Sequence, residues 1–194
     1  MFYLKCSKGG EGSRAQDVTN LAEYNFLEAL DSLSRDKTEV LESGIEKAKD
    51  QRKLITQQVQ NFLDRRSIVA QGPFLMAVIQ EGTPDSKAFG NINCLALLAH
   101  ATLRAHVTVT GGKKVQNLPL VVSAPLDSVK GTCLVLGVPP VTDRTRKNLL
   151  GKAFEQAAKR TNSGYLLDFF DASVIQLKTA DRSKFFDGLA SLLN

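Results

Sequence analysis

Between Leu41 and Arg66, the residues Leu41, Ile45, Ala48, Arg52, Ile55, Val59, Phe62 and Arg66 recur in alternating steps of four and three. That spacing belongs to the seam of a coiled coil, which is narrower than the face a helix turns to a globular core. Asp36 and Glu39 stand three apart, as a capping box requires, so the segment reads as one helix over about residues 37–66. At 1.5 Å per residue such a helix is about 45 Å long, more than a small domain covers along one side. Part of it is therefore expected to project, or to meet another chain. Gly44 lies inside it and weakens it by about 1 kcal/mol relative to alanine.

A second helical segment precedes this one. Ser13 and Gln16 form another capping box, and Val18, Leu21, Ala22, Phe26, Ala29, Leu30 and Leu33 follow at helical spacing, predicting a helix over about 14–33 with one buried stripe. Only Ser34 to Asp36 separate the two, so an antiparallel helical hairpin is expected over residues 1–70. Glu42, Glu46, Lys47, Lys49, Asp50, Arg52 and Lys53 intersperse both signs of charge along it. Such a face suits solvent or a protein partner and argues against nucleic acid at this site. The candidate protein interface is therefore the seam of Leu41, Ile45, Ala48, Arg52, Ile55, Val59 and Phe62.

Beyond residue 70 the helical period fades. Pro73 to Gln80 is a short apolar run read as a buried strand, and Glu81 to Gly90 reads as a loop. From Ala99 to Thr110 apolar and polar residues alternate over twelve positions, the period of a half-buried antiparallel strand. Gly111-Gly112 then reads as a hairpin turn, with Lys113 to Ala124 returning as the partner strand. Residues 132–138 form another buried strand ended by Pro139-Pro140. An amphipathic helix follows over 143–161, one long or two short strands over 165–179, and a last helix from Asp181. The expected class is α+β: an N-terminal antiparallel helical hairpin, then a mainly antiparallel β-sheet with two C-terminal helices in a basic domain over residues 71–194.

Charge separates the two parts. The chain carries a net +5, but residues 1–70 hold 11 basic and 11 acidic side chains against 14 and 9 in the remainder. Lys113, Lys114, Arg144, Arg146, Lys147, Lys152, Lys159 and Arg160 are the cations that could neutralise phosphates without reading bases. The chain has no Trp and few aromatics near these positions for base stacking, and Glu155 interrupts the stripe.

Catalytic signatures fail in detail. His100, Arg104 and His106 share the polar face of the strand expected over 99–110, which would set the two histidines about 20 Å apart, too far to share a metal ion. The sequence has no G-x-S-x-G, no P-loop and no G-x-G-x-x-G. Asp168 and Asp171 with Gln176 and Lys178 weakly suggest a metal-dependent nuclease, provided the chain turns near Ala172-Ser173.

Cys6, Cys94 and Cys133 are odd in number and widely spaced. No apolar run approaches the length of a membrane span, and residues 1–14 lack the apolar core of a secretory signal. A cytoplasmic protein without cofactor or metal is expected. The leading reading is a non-catalytic interaction or assembly protein whose hairpin contacts a protein partner or a second copy. An RNA- or DNA-binding protein of coat or packaging type, using the basic face from 113 to 160, is the alternative, and a nuclease ranks last.

Overall fold

The computed structural model describes residues 14–34, 36–83, 85–142 and 150–193. In chain order these form α1 (Arg14–Asp31), α2 (Thr38–Asp64), β1 (Val69–Gln71), β2 (Phe74–Val78), α3 (Ile92–Thr110), α4 (Lys113–Gln116), β3 (Leu120–Asp127), β4 (Thr132–Val138), α5 (Leu150–Arg160), β5 (Tyr165–Leu166), β6 (Val174–Lys178) and α6 (Arg182–Leu193). Single 3₁₀ turns over Ser86–Gly90 and Thr179–Asp181 lead into α3 and α6. The class is α+β, with a mostly antiparallel six-stranded sheet and helices at the C-terminal end.

The strands lie in the order β1-β2-β3-β4-β6-β5. All neighbours are antiparallel except β2 and β3, which run parallel with Leu75 opposite Leu120 and Val78 opposite Ser123. A parallel pair needs a crossover, and α3 and α4 supply it. Strand alternation divides the core in two. Leu75, Ala77, Leu120, Val122, Leu134, Leu136 and Val174 face α3 and the last turns of α2, where Ile55 and Phe62 are buried. Phe74, Val121, Cys133, Val135, Ile175 and Leu177 face α5 and α6, where Phe154, Phe185 and Phe186 stack edge-on or tilted. With both faces covered, the central strands carry few polar residues, so Phe74–Val78 and Thr132–Val138 read as plain apolar runs.

The largest departure from the sequence expectation lies at 99–110, which is the second half of helix α3 and not a strand. Asn91 caps the helix, its side-chain oxygen accepting from the Asn93 and Cys94 backbone N–H groups at 3.0 and 3.3 Å. Cys94, Leu95, Leu98, Ala99, Thr102 and Leu103 form the buried face, a three-four pattern that overlies the alternation and extends it backwards. Of the alternating apolar positions, Ala101 and Ala105 are only half-buried and Val109 is exposed. The hydroxyls of Thr108 and Thr110 donate to the carbonyls of Arg104 and His106 one turn back, which accommodates these β-branched residues in the last turn. Gly111, at φ 64°, ends the helix in the left-handed conformation. The Gly111-Gly112 pair is thus a helix stop and not a hairpin turn, and the following strand begins only at Leu120.

Among the described helices, α3 has the length and apolar composition to cross a bilayer. Its buried residues nevertheless pack on the sheet, and it carries His100, Arg104 and His106, as a core helix of a folded domain does. The short strand β1 had no sequence signal. At 165–179 the shorter alternative holds, with two strands, β5 and β6. Helix α5 stops at Asn162, whose φ of 48° takes the left-handed role the sequence suggested for Gly164.

Candidate protein-interaction surface

The chain divides into two compact units, one ending at Lys53 and the other beginning at Leu54, so the division falls inside α2. The second unit holds the sheet. It also takes Ile55, Val59 and Phe62 into its core, where Phe62 is only 3% exposed. These three seam positions are occupied by their own domain.

The first unit is built differently. Helices α1 and α2 are joined by residues 32–37, where the Ser32 hydroxyl donates to the Ala29 carbonyl at 2.6 Å and Lys37 pairs with Asp31. No hydrophobic side chain before Ile55 is buried among those the structure describes. Tyr24 is 63% exposed, Leu30 54% and Leu33 77%, and Phe26, Leu27, Leu41 and Ile45 are exposed as well. Phe26, Leu30 and Leu33, expected in a buried stripe, are therefore open, with no described residue covering them, and Val18, Leu21 and Ala22 of that stripe lie outside the described side chains. Tyr24 and Leu27 are the signal that sequence reasoning missed. They fall off the three-four stripe and spread apolar surface around the helix, too wide for one face.

Between the end of α1 and the first turns of α2 lies an open groove of about 500 Å³. Leu41, Ile45 and Ala48 line it, all from the sequence-predicted seam, together with Ala29, Gly44 and the carboxylates of Glu28 and Glu39. Arg52, also of the seam, is exposed at the end of this unit.

The described basic residues are not brought together. Lys113 and Lys114 sit exposed on α4, which follows α3 on one face of the sheet, whereas Lys152, Lys159 and Arg160 are exposed on α5 over the other. Lys159 is bound to Glu155 at 2.6 Å, which holds that carboxyl below its ordinary range. Arg144, Arg146 and Lys147 lie outside the described residues.

Asp168 and Asp171 occupy the loop between β5 and β6. A turn does fall at Ala172-Ser173, but the Asp171 carboxylate is committed to making it, accepting from the Ser173 N–H at 2.8 Å and from its hydroxyl at 2.7 Å. Gln176 and Lys178 are on β6. No group of three His, Cys, Asp or Glu suited to a metal occurs among the described residues.

His100 and His106 are on α3, six residues and about 9 Å of helix rise apart, not the 20 Å of an extended strand. Burial lowers the His100 pKa, and Arg104 on the next turn lowers it further, while Asp171 opposes them. Cys94 and Cys133 are buried. Burial pushes the Cys133 thiol up, and the hydroxyls of Ser123 and Thr179 pull the other way.

An α+β domain preceded by a pair of helices whose described large apolar side chains are exposed is the class that the fold and this surface define. The family model named CDC45 matches residues 6–192. The cell division control protein 45 homologue of Homo sapiens is 45% identical over 171 residues, covering 88% of this chain and 30% of the relative. That of Dictyostelium discoideum is 30% identical over 164 residues, covering 84% and 24%. Cell division control protein 45 of Saccharomyces cerevisiae is 29% identical over 187 residues, covering 90% and 28%. The crystal structure of CDC45 from Entamoeba histolytica shares the fold, with a TM-score of 0.59 at 18% identity over 88% of this chain and 33% of that one. The chain belongs to the CDC45 family, and it spans less than a third of the length of these curated relatives.

Proposed function

We propose that this chain is a non-catalytic protein-interaction part of a DNA replication factor, and that it works inside the replicative helicase complex. Its family supports the setting, and one structural observation carries the role: the first unit exposes a row of large apolar side chains, from Tyr24 to Ile45, and buries none among its described residues. Contiguous apolar surface of this kind marks a protein contact. The partner is then another protein of the complex. Self-association and RNA binding draw no support from the family, and Lys113, Lys114, Lys152 and Lys159 are dispersed over two faces, so the described cations form no continuous track for DNA. The working compartment in this reading is the nucleus, in place of the cytoplasmic location expected from the sequence.

The test is site-specific photo-crosslinking in the full-length family protein within its assembled complex, with the crosslinking amino acid at position 33. Cross-links to another subunit are the expected result. Cross-links confined to the protein's own chain, or none, would overturn the assignment.

A further inference from the structure

Resting on that reading, we propose that the groove between α1 and α2 receives a basic amphipathic α-helix of the partner. Three features of the first unit lead there. Its described residues are helical or in turns, with no strand edge on which a peptide could add as a β-strand, so a helix laid into the groove is the recognition mode available. The groove is apolar along its length: Leu41, Ile45 and Ala48 follow one another at steps of four and three, the spacing that meets the i, i+3, i+7 residues of an incoming helix. Gly44 interrupts this wall at a place where an added Cβ would meet nothing within 4 Å, so backbone is open to the groove and a partner can approach closely.

Charge selects the kind of helix. Of the cations described in this part, Lys37 is taken by Asp31 and Lys49 by Glu46. Of the residues that line the groove, Glu28 and Glu39 have no ion-pair partner among the described residues, and Lys47 stands against them. The rim is therefore acidic on balance. Complementarity calls for Lys or Arg flanking the apolar stripe of the incoming helix, with like charge there disfavoured.

The experiment measures anisotropy of two labelled synthetic peptides, each of roughly 18 residues, or five helical turns, on the 194-residue chain. Both carry the same Leu/Ala stripe; one has Lys and the other Glu on the polar face. The Lys peptide should bind at least about tenfold more tightly. Gly44→Phe fills the groove from a position free of internal contacts, and should weaken the Lys peptide about tenfold while leaving the unfolding midpoint in place. Glu28→Lys with Glu39→Lys should reverse the order of the two peptides, and it remains informative if Gly44→Phe fails to fold.

Equal affinity for both peptides, or an unchanged order in the charge-reversed variant, would overturn the proposal. So would full binding by folded Gly44→Phe. Cross-links from position 33 to another subunit alongside any of these results would remove the basic helix and keep the interface. Loss of the cross-links alone would remove the interface reading and, with it, the partner named here.

Discussion

Gly151 faces the carbonyl of Ala172 so closely that a Cβ at Gly151 would lie 2.5 Å from the Ala172 oxygen. Helix α5 thus packs at Gly151 against the turn that Asp171 and Ser173 shape, and the Ser173 carbonyl accepts in turn from the Gly137 N–H of β4 at 3.0 Å. Backbone meets backbone here, so neither side can yield by rotating a side chain. Gly151→Ala gains about 1 kcal/mol of helix propensity but forces the turn or the helix to shift, which costs about 1–3 kcal/mol. The urea midpoint should fall. A midpoint that held or rose would show that the turn moves freely.

The two ends of the α2 seam should respond oppositely to substitution. Phe62 is buried in the sheet domain, and Phe62→Ala should cost about 3–5 kcal/mol through lost burial and the cavity left behind. Leu33 and Leu41 are exposed, and Leu33→Asp with Leu41→Asp should change stability by less than about 0.5 kcal/mol each. Chemical denaturation of the isolated chain checks both. A large loss on the exposed pair would mean that their surface is already covered.

That contrast marks where sequence reading stops. Leu41, Ile45, Ile55 and Phe62 share one periodic stripe and one residue chemistry. They differ in what lies opposite, which is a property of the fold. Element positions were far more legible: α1, α2, β2 and β4 fall within two residues of their predicted bounds, because caps, apolar runs and Pro139-Pro140 are local signals. Helix α3 was hidden because its polar residues happen to alternate, while the Asn91 cap and the Leu95, Leu98 and Thr102 face lie mostly outside the alternating window. With α3 read as a strand, no crossover was available, so the parallel pairing of β2 with β3 could not be foreseen. The basic set looked continuous along the chain, yet the sheet separates Lys113 from Lys152.

The Asn91 cap can be tested directly. Asn91→Ala removes the acceptor for two N–H groups at the start of α3 and should cost about 1 kcal/mol, whereas Asn91→Asp keeps an acceptor and should hold near the parent. Thermal unfolding compares the pair. Equal losses in both variants would mean that the cap oxygen contributes nothing.

Protonation of the α3 histidines should cost stability in mild acid. The pKa of His100 lies below its ordinary 6.5 through burial first and Arg104 second, and that of His106 is lowered by burial. A histidine with a depressed folded pKa binds its proton more readily in the unfolded chain. Stability from this source is therefore whole above about pH 6.5 and declines as the pH falls from there towards the folded values. The unfolding midpoint should drop over that window, and His100→Gln with His106→Gln should flatten the drop. Asp171 opposes the shift at His100. Asp171→Asn keeps an oxygen that can accept from the Ser173 N–H but loses the charge, so the His100 pKa should fall further and the decline steepen. Following the His100 ring protons by NMR titration reads the sign directly. A titration left unchanged in Asp171→Asn would place the carboxylate out of electrostatic reach of the imidazole.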